Sequence, residues 1–453
     1  MKRLILSMAV LAVAAGACKK NGADKGFEPR STFAGPYADT ITLPLTITTD
    51  TELDPGILWV LDGKTYVTNG ATLIVPEGTR VEAKKKSTND SASALIITRG
   101  SQLFAVGNAQ NPVVFTSHEA NPASGDWGGI VLLGNAPLNR ADATIEGINL
   151  PSVPAGVDIN YGGGAAGQGD VNHKAGELQY VRIEYAGAAI ATDNELNGLT
   201  CGGVGAGTVL DHIEVAYGND DAFEFFGGTV NAKYLFALAP DDDAFDFDFG
   251  YRGHIQYAVS VLDPNETYSA NPNGIESDNN GTGAADQPFT NPYISNMTVI
   301  GWSNAISGTL SAAHFRRHSL YDVRNSIFIG FPRGIRLEST PTINHASHFS
   351  HNIVHAFNAS QVLDPVTAPF GAGIFTSTAS NSNADVVLNN PFNLSSPDFR
   401  IVAGSNAATL GTDFTGLDGY PGFFTATSYR GAFDVVAAGN TNNWLAGWAK
   451  YDY

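Results

Sequence analysis

Cysteine is almost missing from this chain: there are two in 453 residues, Cys18 and Cys201. A disulfide framework needs several pairs and is excluded. Basic side chains are also sparse, 25 Lys and Arg against 44 Asp and Glu, for a formal charge of −19. Neutralising phosphates needs the opposite sign, so nucleic acid is excluded as a partner. Cations, basic proteins and neutral sugars stay open. Beyond the first residues no apolar run is long enough to cross a membrane as a helix. Helical periodicity is missing too. What is present is 50 Gly and short apolar runs separated by Gly, Asn, Asp and Pro. That pattern predicts an all-β chain.

The amino terminus carries its own signal. Lys2 and Arg3 precede an apolar run over residues 4–15, too short for a permanent span. The run ends in Ala15-Gly16-Ala17-Cys18. This resembles the lipobox of bacterial lipoproteins, with Ala15 where Leu is commoner. The resemblance implies a signal peptide over 1–17, cleavage before Cys18, and a lipid such as palmitate on Cys18 that anchors the chain to a membrane. Lys19 and Lys20 follow, with no Asp beside the lipid site. In enteric-type lipoproteins an Asp there favours the inner membrane, so the expected location is the outer membrane, at its cell surface or periplasmic face. Asp24 and Glu28 approximate the acidic export signal of Bacteroidota surface lipoproteins. The polar residues 18–40 are read as a tether.

Repetition gives the architecture. Val67-Thr68-Asn69-Gly70-Ala71-Thr72-Leu73 is echoed by Ile97-Thr98-Arg99-Gly100-Ser101-Gln102-Leu103. Asp220-Asp221-Ala222-Phe223-Glu224-Phe225 returns 22 residues later as Asp242-Asp243-Ala244-Phe245-Asp246-Phe247. A period of that size, in short strands without helices, is one coil of a parallel β-helix. One coil cannot bury its apolar face alone, and stacked coils can. The expectation is a single-stranded, right-handed solenoid over 41–385, of roughly a dozen coils. Excursions are expected at 151–176, 263–272 and 279–292. Residues 386–453 are read as closing strands and a C-terminal cap, with Trp444 and Trp448 packing there rather than stacking on sugar. The run Gly202 to Gly207 lacks a following helix and a phosphate-loop Lys, and reads as a turn.

Three segments carry a family resemblance: Gly125-Asp126-Trp127-Gly128-Gly129-Ile130, Tyr180-Val181-Arg182-Ile183-Glu184-Tyr185, and Asn219-Asp220-Asp221-Ala222-Phe223-Glu224-Phe225-Phe226-Gly227-Gly228-Thr229-Val230. They resemble a family of Bacteroidota surface lipoproteins, to which leptospiral outer-membrane lipoproteins look related. The resemblance covers most of the chain. It implies outer-membrane location and, for some members, association with TonB-dependent uptake. It implies no reaction.

Aligning the coils stacks the acids. One column should hold Glu224, Asp246, Glu276, Arg316 and Arg336. Two residues on, another should hold Phe226, Asp248, Asp278, His318 and Glu338. Neighbouring coils lie about 4.8 Å apart, so stacked carboxylates repel unless they face water, keep protons, pair, or bind a cation. Glu224, Asp246, Asp248, Glu276 and Asp278 are therefore candidate ligands for Ca²⁺, a hard cation that takes oxygen donors. A solvated acidic face with flanking ion pairs is the plainer reading.

Three functional readings follow. The favoured one is a non-enzymatic lipoprotein whose rigid rod binds a ligand, glycan or partner, as an accessory to TonB-dependent uptake. The second is a polysaccharide hydrolase or lyase. Asp220-Asp221-Ala222-Phe223 resembles the double-Asp strand of polygalacturonase-like hydrolases, and Gly334-Ile335-Arg336-Leu337 their basic strand. On that reading Asp220, Asp221, Asp243 and Arg336 are catalytic, two carboxylates flanking a water; a lyase would use Ca²⁺ with Arg316 or Arg336 as base. The chain departs from the pattern: Asn197 replaces an Asp, no Gly-His-Gly stands on the next coil, and Leu337 replaces the Lys after Arg336. The third reading is a purely structural or adhesive surface protein. His345, His348, His351 and His355 are spaced for a metal only on a helix.

Overall fold

The computed structural model describes residues 37–88, 91–148, 150–191, 194–268, 272–302, 310–381, 386–437 and 441–453. The signal peptide, Cys18 and the tether up to residue 36 lie outside the described residues. From there on, strands follow one another with two short α-helices, Thr340–Asn344 and Asn406–Thr409. No helix among the described residues is long and apolar enough to cross a membrane.

The chain is a parallel β-helix. Each coil gives one short strand to an eleven-stranded sheet and a longer path to a seventeen-stranded one. The pairings inside both sheets are parallel, for example Phe223–Phe226 on Phe245–Asp248. Alternation along a strand explains the core. In Phe223–Phe226, Phe223 and Phe225 turn inward, while Glu224 and Phe226 turn outward. Phe223 stacks on Phe245 at 5.3 Å, and Phe225 on Phe247 at 5.4 Å. The 22-residue echo is thus one rung laid on the next. The echo at Val67 and Ile97 is likewise a register pair.

The long sheet bends at one column. Tyr180, His212, Tyr234, Tyr257, Asn296 and Asn325 all have φ between 51° and 62°. Such a conformation is uncommon for residues with a Cβ. It recurs because successive rungs turn the same corner; ring stacking offsets its cost at the Tyr and His positions, and asparagine tolerates it at the other two. Tyr180 lies 4.3 Å from His212, and His212 4.3 Å from Tyr234.

The C-terminal residues run along this corner. Trp448 meets Tyr180 and His212 edge-on. Arg182 donates to the Trp448 carbonyl, and the Tyr453 hydroxyl donates to Glu214. Farther along the solenoid, Asn325 donates to the Asp413 carbonyl. The segment therefore straps many rungs together. Trp444 stacks on Phe433 at 4.9 Å and its indole N–H donates to the Ala432 carbonyl at 3.0 Å, so both tryptophans of the segment pack within the fold.

Part of the segment from Gly125 to Ile130 is also structural. Asp126 accepts from Ser117 and pairs with Lys85 at 2.9 Å, while the Trp127 indole N–H reaches the Glu184 carbonyl at 2.8 Å. Gly129 has φ +73°, and a Cβ there would strike the Asn197 and Gly198 carbonyls on the next rung. Only glycine lets these rungs approach.

Candidate functional site

The acidic residues stand on the outward face of the eleven-stranded sheet. Register fixes one column as Tyr66, Ile96, Val131, Thr200, Glu224, Asp246, Glu276, His314 and Arg336. Its first part is apolar because a loop covers it. Leu138, Ile145, Ile159 and Tyr161 of that loop pack on Tyr66, Ile96, Val131 and Phe226. Where this apolar packing ends, the column turns acidic and then basic.

The expected columns need one correction. The coil after Glu276 is shifted by two residues, so His314, not Arg316, follows Glu276. The cause is packing. Ala313 and Phe315 take the inward seats, which makes Ala312-Ala313-His314 the small-apolar-polar triplet of that rung. Arg316 falls in the neighbouring column, beside Asp278 and Glu338. His318 lies outside both columns, stacked on Phe289 at 4.9 Å.

A third line of acids enters the strands from the turn. Asp221 Oδ1 accepts the Asp243 N–H at 2.8 Å, and Asp243 Oδ1 accepts the Asn273 N–H at 2.7 Å. Asn273 then repeats the contact on Ser311 at 3.0 Å. An asparagine does the same work one rung later. One oxygen of each of these aspartates is thus committed to the backbone.

Charge is segregated along the column. At the basic end Arg316 binds Glu276 and Asp278, and Arg317 binds Asp278 at 2.7 Å. Arg336 pairs with Glu338. At the other end, Asp221, Glu224 and Asp246 bring one oxygen each within 4.8 Å of one another, and Asp220, Asp221 and Asp242 do the same. Among the described residues no ion pair reaches Asp221, Glu224 or Asp246. Glu224 Oε1 and Asp246 Oδ1 are buried without any hydrogen-bond partner.

Burial first, and neighbouring carboxylates second, push these groups toward their protonated forms. Asp221, Glu224, Asp243 and Asp246 sit well above the ordinary carboxylate range. Asp220 is pushed to about 10 and Asp248 to about 8. Burial lifts Glu276 to about 7 against the pull of Arg316. Glu146, from the covering loop, rises to about 7 through burial and the nearby Glu195. His314 drops to about 3, through burial and the surrounding arginines, and is neutral near pH 7.

Two hollows adjoin the cluster. A cleft of about 470 Å³ is lined by Asp242, Asp243, Asn273, Glu276, His314, Arg316 and Arg336. A hollow of about 410 Å³ lies against Glu146, Tyr161, Phe226 and Phe249. Of the five candidate ligands, Glu224 and Asp246 converge, and they do so with Asp221. Asp248 accepts the Phe249 N–H at 2.6 Å, while Glu276 and Asp278 are held by arginines. Of the four candidate catalytic residues, Asp243 and Arg336 share the cleft, and Asp220 and Asp221 group with Asp242. Glu146 carries no repeat signal, because it comes from an excursion outside the coil register.

The late histidines separate. His345 and His348 stack at 3.9 Å in a helical turn that hydropathy alone does not mark. His355 accepts the Gly330 N–H through Nδ1, 3.3 Å away.

A family model for pectate-lyase-like β-helix domains matches residues 45–387. The chain belongs to this family. No curated protein and no solved structure matches it. In this pectate-lyase-like β-helix the match contains every residue of the acidic columns, and stops before the strand Asp398–Ile401 and the strap. The donor set fits a hard divalent cation. It is all oxygen, it carries two buried unpaired oxygens, and it offers no Cys or His that would favour zinc.

Proposed function

We propose that this pectate-lyase-like β-helix is a non-enzymatic, lipid-anchored outer-membrane protein with a calcium-dependent binding cleft for a glycan. The observation that carries this reading is the group Asp221, Glu224 and Asp246, with two buried unpartnered oxygens, beside a cleft walled by Arg316 and Arg336. Calcium held there would relieve the carboxylate repulsion. Sugar hydroxyls could complete its shell, since Ca²⁺ takes six to eight oxygens in loose geometry. A TonB-dependent receptor is the partner we assign, on the motif resemblance to Bacteroidota lipoproteins.

Affinity electrophoresis through gels of acidic and neutral polysaccharides tests the binding. Retardation is expected with calcium and should vanish in chelator and in Asp246→Asn. Equal mobility in all gels, with and without calcium, would overturn it. The anchor has a separate test. Cells should incorporate labelled palmitate into the wild-type chain, and Cys18→Ala should lose the label and leave the membrane fraction; a labelled Cys18→Ala chain would contradict the anchor.

A polysaccharide hydrolase or lyase is the second reading. It is favoured by Asp243 and Glu276, both shifted upward and both lining the cleft. A general acid needs such a retained proton. Release of reducing or unsaturated sugars, abolished in Asp243→Asn, would establish this reading over the first.

A further inference from the structure

We propose that a second cleft, sharing no residue with the acidic one, binds a ring compound bearing one carboxylate and a hydroxyl. It holds about 630 Å³, the size range of small-ligand sites. Its walls come from well-separated pieces of chain, among them Val171 of the large excursion, Arg252 after the strand Phe245–Asp248, Phe289 and Asn291 of a later excursion, and Asp418 of the C-terminal strap.

The charge in this cleft is unspent. Arg252 is exposed, and no hydrogen bond or ion pair engages its guanidinium among the described residues. Arg316, Arg324, Arg336 and Arg400 all pair with carboxylates. In a chain with 44 acids and 25 bases, an arginine left open in a cleft is suited to an incoming anion. A guanidinium fork matches a carboxylate through two parallel hydrogen bonds.

The rest of the lining asks for a ring and a hydroxyl. Phe289 is held by stacking on His318 at 4.9 Å, and Tyr293 by stacking on His254 at 5.2 Å. Platforms fixed in advance lose little freedom when a ligand ring lies on them. Val171 and Leu320 extend the apolar surface. The Asn291 amide donates to the Tyr293 hydroxyl at 2.9 Å, and its other polar atom is buried without a partner. A ligand hydroxyl can satisfy that atom. Asp418 stands at the rim, 3.1 Å from His254 Nε2, so a second anionic group on the ligand would be repelled there.

A uronic acid and a hydroxylated aromatic acid share this chemistry. Ligand-observed NMR should be run with glucuronate and hydroxybenzoate, and with glucose and phenol as uncharged counterparts, all in chelator. At least one carboxylate should bind about tenfold or more tightly than its uncharged counterpart, the worth of one charge-assisted contact. Which one binds names the source. Arg252→Gln should remove that difference and Phe289→Ala should weaken binding, both with unchanged melting temperature. Asp246→Asn should bind as wild type, which separates this cleft from the calcium reading. The proposal is overturned if neither carboxylate binds, if charged and uncharged compounds bind alike, if Arg252→Gln binds like wild type, or if binding requires calcium.

Discussion

In chelator, the protein should lose thermal stability as pH rises from the ordinary carboxylate range to about pH 8, and calcium should lessen that loss. The sign follows from the direction of the shifts. Asp220, Asp221, Glu224, Asp243, Asp246, Asp248, Glu276 and Glu146 all have folded-state values raised by burial and by each other. Each binds its proton more tightly folded than unfolded. That contribution is complete below the unfolded carboxylate pKa and disappears as pH climbs through the folded one. Glu276 and Glu146 give it up near 7, and Asp248 near 8. Calcium binds the deprotonated forms, so its effect grows as the protons leave. At a concentration about a hundredfold above its Kd it should add about 2.7 kcal/mol. Melting curves across pH, with chelator and with calcium, check this. A pH slope that is flat, or rises in chelator, would contradict it.

The second large effect concerns Arg430, which is 1% exposed. Its guanidinium faces carbonyls alone: those of Gly411 at 2.7 Å, Asn352 at 3.1 Å, Gly373 at 2.8 Å and Leu410 at 3.2 Å. Burial lowers its pKa to about 10, so it is charged at neutral pH. It ties the strap to the last rungs. Arg430→Ala takes the donor from the carbonyls of Gly411, Gly373 and Leu410, each worth about 1–3 kcal/mol, while the Asn352 carbonyl keeps the Phe375 N–H. The expected loss is about 3 kcal/mol or more. Arg430→Lys should recover less than half, since three donors on one point cannot reproduce a planar fork. Urea denaturation measures the loss, and limited proteolysis should cut the strap from the variant first. Wild-type stability in Arg430→Ala would refute the role.

Most of the solenoid was legible in the sequence because one physical pattern repeats. Phe223 and Phe245 must both face inward, and the same period places Glu224 over Asp246. Reading failed where a rung departs from the spacing. Ala312 and Ala313 are small enough that two alignments of that rung look equally good, and only core volume selects His314 for the column. The strap was illegible for another reason. Arg430 and Tyr453 act on rungs scores to hundreds of residues away in the chain, and no local period encodes such a contact. Asp221 and Asp243 show a further limit: the double-Asp motif suggests catalysis, yet the register contact made by Asn273 shows that one oxygen serves the backbone.

The central claim is that the carboxylates around Asp246 hold calcium. Calorimetric titration of Ca²⁺ into chelator-treated protein at neutral pH tests it most directly, alongside Asp246→Asn. The account predicts a saturable binding heat in the wild-type protein, with proton release, and none in the variant. No heat in the wild type, or the same heat in both, would contradict it.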